Sequence, residues 1–316
     1  MKAPVIPILA VLLLAASQAQ GIETAKPEPP PKTYEVKAHR DLTYCDIPSD
    51  PDRSRHQLDV YVPKGLTKCP VLFFVHGGAW TIASKDDVLG IYGYGTIGKC
   101  LAERGLVVVM TNYRLSPHVQ HPEHIKDVAR AFAWTCKNIA DYGGDPDRII
   151  VAGHSAGGHL VSLLMTDPVY LKAEGRSPKD IQAVIGISGV YRLQDLDLKQ
   201  LIGEPCKCKD FPDCVNPITS VFGTDPEVLK QASPINHVGP GLPPFLLIIG
   251  GLDYCTLRTM AKDFAKELKA NGCDVQTKSL PWRTHETEVF DIPHLTAEPK
   301  MVSAVVEFVE GIKSRR

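Results

Sequence analysis

The chain has 316 residues, 44% of them hydrophobic, with 35 Lys and Arg set against 36 Asp and Glu for a formal charge of −1. That length holds one large α/β domain or two small ones. The balanced charge, with no basic stripe or acidic tail, argues against a nucleic-acid binder or a protein held by charge on anionic membranes.

In chain order, Lys2, the apolar run 5–16 and the small residues Ser17 and Ala19 have the layout of a secretory signal peptide over residues 1–19. The run is short for a bilayer span. A secreted or periplasmic protein with no lasting membrane insertion is expected, an uncleaved anchor being the alternative. Residues 20–40, rich in proline and charge from 21 to 31, read as a flexible linker to a single domain over 41–316.

Residues 58–62 alternate apolar and polar, as in a strand with one exposed face. Residues 71–75, 106–110, 149–152, 183–187 and 245–249 are continuous apolar runs, the pattern of strands covered on both faces of a parallel sheet. Helix-spaced apolar residues lie between them: Ile125, Val128, Phe132, Ile139 and Ala140, then Leu257, Met260, Ala261, Phe264, Ala265 and Leu268, which end at Asn271-Gly272. Met301, Val302, Val305 and Phe308 mark a last helix. The alternation predicts an α/β fold with a mostly parallel central sheet flanked by helices.

Two stretches break this rhythm. Residues 81–98 carry Gly90, Gly93, Gly95 and Gly98, and residues 191–242 hold Cys206, Cys208 and Cys214. The second is read as a cap insertion over the site. Nine cysteines in an exported chain predict several disulfides and at least one unpaired thiol. The 206–214 cluster lacks a fourth ligand at zinc-site spacing.

Gly153-His154-Ser155-Ala156-Gly157 lies between the apolar run 149–152 and the helix-like stretch 160–166. A serine hydroxyl is a weak nucleophile, so it needs a nearby base and an exposed, strained setting. A sharp strand-to-helix turn supplies that setting, and it tolerates only small residues on either side of Ser155. His76-Gly77-Gly78-Ala79-Trp80 follows the run 71–75. Its glycines allow close backbone approach, and N–H groups of Gly78 and Ala79, with Ala156, are expected to form an oxyanion hole with Gly77 in the same loop. Trp80 is expected to pack the wall of the site.

The acid and base should follow the serine in chain order. Asp253 comes after the strand 245–249 through Gly250-Gly251-Leu252, and His285 comes after the strand-like 275–280. His294 is the alternative base. Asp253 would hold the imidazole in one tautomer, His285 would take the serine proton, and no metal or organic cofactor is called for. His76, His154 and His159 are expected to be structural, through hydrogen bonds to backbone.

Leu58-Asp59-Val60-Tyr61, the His76–Trp80 motif, Asn112-Tyr113-Arg114-Leu115, Gly143-Gly144-Asp145-Pro146-Asp147-Arg148, Gly153-His154-Ser155-Ala156-Gly157-Gly158-His159, Asp253 and His285 together resemble the α/β-hydrolase esterases. That group includes hormone-sensitive-lipase-like carboxylesterases, acetyl-xylan and feruloyl esterases, and kynurenine formamidase. The resemblance runs from about residue 40 to the C-terminus. It implies Ser155, Asp253 and His285 as a triad and the glycine motif as oxyanion hole. His154 stands where the lipase-like branch usually has Asp, and the glycine motif ends in Ala-Trp, as in the formamidase and polysaccharide-esterase branches. The expected activity is hydrolysis of a small-molecule or polysaccharide-linked carboxylic ester through an acyl-enzyme. An aryl formamidase with the same triad and an inactive binding module of the same fold are the alternatives.

Overall fold

The computed structural model describes residues 32–48, 50–87, 93–194, 196, 217–289 and 300–313. The expected signal segment, the 21–31 stretch, Cys206, Cys208, Cys214 and His294 lie outside these residues. Eight strands form one sheet: β1 Val36–Thr43, β2 Gln57–Pro63, β3 Cys69–Val75, β4 Val107–Thr111, β5 Gly144–His154, β6 Ala183–Ile187, β7 Phe245–Gly250 and β8 Val275–Leu280. Their order is β1-β2-β4-β3-β5-β6-β7-β8. β2 runs antiparallel to both neighbours, and every other pairing is parallel. This is the α/β-hydrolase architecture.

The continuous apolar runs have the cause expected of them. Along β3, Val71, Phe73 and Val75 enter one core, while Leu72 and Phe74 enter the other. Helices α2 Glu123–Asn138, α3 Ala156–Thr166 and α7 Cys255–Ala270 cover the first core. Helices α1 Tyr94–Ala102 and α8 Lys300–Lys313 cover the second. Phe73 meets Phe132 of α2 edge-on at 5.7 Å. Burying each such ring contributes about 1.5–3 kcal/mol. Every residue of α3 is buried, so this helix is part of the core and not a surface element. The short helices α4 Val169–Ala173, α5 Pro217–Phe222 and α6 Pro226–Gln231 complete the described elements, beside several 3-10 turns.

Two expectations are corrected. β1 begins at Val36, inside the expected linker 20–40, and pairs with β2 from Val36↔Pro63. β2 has no exposed face: Asp59 is fully buried because Lys85 and Arg40 pair with it at 2.9 and 2.8 Å. Among the described residues, Cys45, Cys100, Cys136, Cys255 and Cys273 are free thiols, and the expected disulfides involving Cys206, Cys208 and Cys214 lie outside the described residues. Also among the described residues, no helix is long and apolar enough to cross a membrane. Within the expected cap, α5 and α6 are formed, and α5 lies over the loop before α2 through a hydrogen bond from His121 N–H to Val221 O at 2.8 Å.

The register sets where chemistry can occur. Val75 aligns with Gly153, His154 with Ile187, Ile187 with Ile248, and Gly250 with Leu280. The C-terminal ends of β3, β5, β6, β7 and β8 are therefore level. The loops that leave them meet at one edge of the sheet, the usual place for a site in an open parallel sheet.

Candidate active site

Ser155 sits between the last residue of β5 and the first of α3, at φ 53° and ψ −117°. A residue with a side chain pays about 1–3 kcal/mol for such a backbone. Its surroundings enforce it. The Ser155 N–H donates to Ile187 O at 2.8 Å, and its carbonyl accepts from His159 N–H at 3.0 Å. The flanking glycines leave no room for relaxation. A Cβ on Gly153 would lie 2.4 Å from the Gly157 backbone, and one on Gly157 would lie 2.1 Å from Val75 O. The loop after β3 is thus pressed against the serine turn.

The loops after β7 and β8 bring two partners to this hydroxyl. His285 Nε2 is 2.9 Å from Ser155 Oγ, and His285 Nδ1 is 3.1 Å from Asp253 Oδ1. The Asp253 side chain is fully buried and that of His285 is 13% exposed. Asp253 also accepts from the Tyr254 N–H at 2.6 Å and from the hydroxyl of Ser188. Burial opposes ionisation of Asp253, but His285, Ser188 and the Tyr254 N–H outweigh it and hold its pKa below the ordinary value. Burial likewise opposes charge on His285, and there the hydrogen bond and charge of Asp253 prevail and raise the imidazole pKa. The pair is arranged to accept a proton at Nε2.

A chain of hydrogen bonds ties this loop to the glycine motif. Gly77 N–H donates to Tyr94 Oη at 2.9 Å, and the Tyr94 hydroxyl meets His154 Nδ1 at 2.8 Å. His154 Nε2 reaches the His285 carbonyl at 3.0 Å. This pattern assigns the His154 proton to Nε2. Burial, aided by the neighbouring His285, lowers the His154 pKa to about 3, so the ring is neutral. The Gly77 N–H is consequently committed to Tyr94. Among the described residues, no hydrogen bond uses the N–H of Gly78, Ala79 or Ala156. Gly78 and Ala79 have φ of 103° and 49°, which turns the loop sharply before Trp80. Ala156 N–H belongs to the free first turn of α3, where the helix dipole favours negative charge.

The remaining motif residues are structural. Trp80 is 3% exposed, so it supports the loop from behind instead of lining open space. Its indole N–H donates to His159 Nδ1 at 3.3 Å, and its ring meets Phe222 of α5 edge-on at 5.0 Å. His159 Nε2 bonds Ala232 O at 2.7 Å, and His76 Nδ1 bonds Gly77 O at 2.7 Å while stacking on Tyr113. Burial lowers both imidazoles to about 3.

His154, His285 and Glu288 form a cluster whose ligand-type atoms lie within 4.8 Å of one another. Both nitrogens of each imidazole already have protein partners, so a metal there would have to displace hydrogen bonds of the Ser155–His285–Asp253 set. Sequence reading passed over Ser188, Tyr94 and Glu288. Ser188 had a signal, since a Ser-Gly pair directly follows an apolar strand; Tyr94 and Glu288 had none that is local.

The BD-FAE family model matches residues 58–268, from β2 into α7, a span that contains both glycine motifs and Asp253. Esterase LipC of Mycobacterium tuberculosis is 35% identical over 279 residues, which are 86% of this chain and 66% of that protein. The probable isoprenylcysteine alpha-carbonyl methylesterase ICMEL1 of Arabidopsis thaliana is 31% identical over 268 residues, 82% of this chain and 54% of that protein. The chain thus spans about half to two thirds of the length of these relatives. Among solved structures, Esterase B of Lactobacillus rhamnosis superposes with a TM-score of 0.69 at 21% identity, over 97% of this chain and 93% of that one, a likeness of fold. With its glycine motifs inside the matched span and its sheet shared with solved esterases, this chain belongs to the BD-FAE family.

Proposed function

We propose that the chain hydrolyses carboxylic esters through an acyl-enzyme on Ser155. The observation that carries this reading is the line of contacts Ser155 Oγ to His285 Nε2 at 2.9 Å and His285 Nδ1 to Asp253 Oδ1 at 3.1 Å. His285 takes the hydroxyl proton as Ser155 Oγ bonds to the ester carbonyl carbon. The carbonyl oxygen becomes negative in front of the N–H groups of Gly78, Ala79 and Ala156, while Gly77 supplies the close approach. Collapse breaks the bond to the alcohol, which leaves with the proton from His285. Water then gives a proton to His285 and attacks the acyl carbon; the bond to Ser155 Oγ breaks, His285 returns the proton to that oxygen, and the acid leaves. Asp253 steadies the imidazolium in both halves. Side chains and backbone alone supply these steps.

The names of the relatives and the solved esterases support an ester as substrate, either a small molecule or one linked to a polysaccharide. The layout of residues 1–19 supports export to the periplasm or beyond. Ser155→Ala should abolish turnover of p-nitrophenyl acetate while thermal unfolding stays as in the wild type. Hydrolysis at the wild-type rate by the folded variant would reject the reading. A panel of p-nitrophenyl esters of rising chain length, acetylated xylan, methyl ferulate and N-formylkynurenine ranks the substrates; a strong preference for the formamide would replace ester by amide as the scissile bond.

A further inference from the structure

Behind the three reacting residues lies a carboxyl that none of these steps uses. Glu288 follows His285 by three residues and is 0% exposed. The Ser188 hydroxyl and Gly250 N–H approach it, yet neither of its oxygens has a hydrogen bond of ordinary geometry. Oε1 lies 3.5 Å from Nε2 of His154. Among the described residues, the titratable groups that face Glu288 are His285 on its own loop, Asp253 after β7, His154 at the end of β5, Tyr191 after β6 and Tyr94 on α1. Asp253 is negative and His154 is neutral, so the described residues around Glu288 offer it no permanent cation.

We propose that Glu288 is a positioning residue of this same site, a buried acid whose charge state sets how firmly His285 holds a proton. The proposal rests on the reading of Ser155, His285 and Asp253 given above. Burial, with the nearby charge of Asp253, keeps the proton on Glu288 and pushes its pKa up to about 8. As a neutral acid it adds nothing to the charge around the imidazole. Once ionised, it places a second negative charge within 4.8 Å of His285. His285 becomes positive as Ser155 adds to the carbonyl, so the new carboxylate favours that step. Because the two groups interact, their protons leave in two steps that belong to the pair.

The test is the pH profile of kcat/KM for a p-nitrophenyl ester between about pH 5.5 and 9.5, with the whole chain. The wild type should rise once as His285 becomes neutral and again, by about three- to tenfold, near pH 8. Glu288→Gln keeps the shape of the neutral acid and cannot ionise; it should show the first rise and lose the second. Glu288→Asp restores an ionisable group and should show a second rise at a displaced midpoint, which also decides the matter if the Gln variant does not fold. A single rise in the wild type, or a second rise that survives in Glu288→Gln, overturns the proposal. Activity that persists in Ser155→Ala would overturn the triad reading instead, so the two failures are distinct.

Discussion

Tyr94→Phe isolates the contact between the glycine loop and the histidine loop. The tyrosine ring is 1% exposed and packs near Phe74 and His76, at 5.8 and 6.0 Å, contacts a phenylalanine keeps. Only the hydroxyl is lost. It accepts from Gly77 N–H at 2.9 Å and meets His154 Nδ1 at 2.8 Å, so one buried donor and one buried acceptor are left without it. Each unpaired group costs about 1–3 kcal/mol, which puts the loss of stability at about 2–6 kcal/mol. For a domain of this size, at about 2 °C per kcal/mol, that lowers Tm by about 4–12 °C. The freed Gly77 peptide also precedes the Gly78 and Ala79 donors, so kcat should fall about tenfold with KM little changed. Thermal unfolding followed by circular dichroism, with p-nitrophenyl acetate kinetics, measures both. A Tm within about 1 °C of the wild type together with an unaltered kcat would refute the reasoning, because the hydroxyl would then do no more than fill space.

Further outcomes follow from the same geometry. Because Asp253 raises the pKa of His285, kcat/KM should fall on acidification through a midpoint above the ordinary imidazole value of 6.5, since activity needs the neutral ring. Asp253→Asn should move that midpoint down and lower kcat by about a thousandfold or more, as read from pH-dependent kinetics; an unmoved midpoint would detach Asp253 from the base. The same shift bears on stability. The His285 contribution is fully present below pH 6.5 and is lost as pH rises through its higher folded value. At the far side of the site, Lys85 is 2% exposed and its ammonium meets Asp41, Asp59 and Asp86 at 2.8, 2.9 and 2.8 Å. Lys85→Met leaves the buried Asp59 with Arg40 as its one cation, beside the Asp41 N–H, and should cost about 3 kcal/mol in a urea titration. An unchanged urea midpoint would show that Arg40 suffices.

Much of the sheet was legible because its signal is local. A strand covered on both faces must be apolar throughout, and β3, β4, β6 and β7 read that way. The serine turn was legible for a steric reason, since Gly153 and Gly157 stand where any side chain would strike backbone. What stayed hidden depends on partners distant in sequence. Asp59 looks like a surface residue in an alternating strand until Lys85 and Arg40 are seen to neutralise it. β1 is half exposed along its length and carries charge, so nothing in its own residues separates it from a linker. Ser188 holds Asp253 across 65 positions, at a backbone φ of 45°. Glu288 resembles any solvated glutamate in the sequence, and only the closure of the loops after β6, β7 and β8 buries it.

Reaction with a fluorophosphonate probe, with the labelled peptide identified by mass spectrometry, examines the nucleophile itself, because only an activated serine reacts readily. The label should fall on Ser155 in the wild type and be lost in His285→Ala, whose serine has no base. Labelling at another residue, or undiminished labelling of Ser155 without His285, would contradict a serine activated by that imidazole.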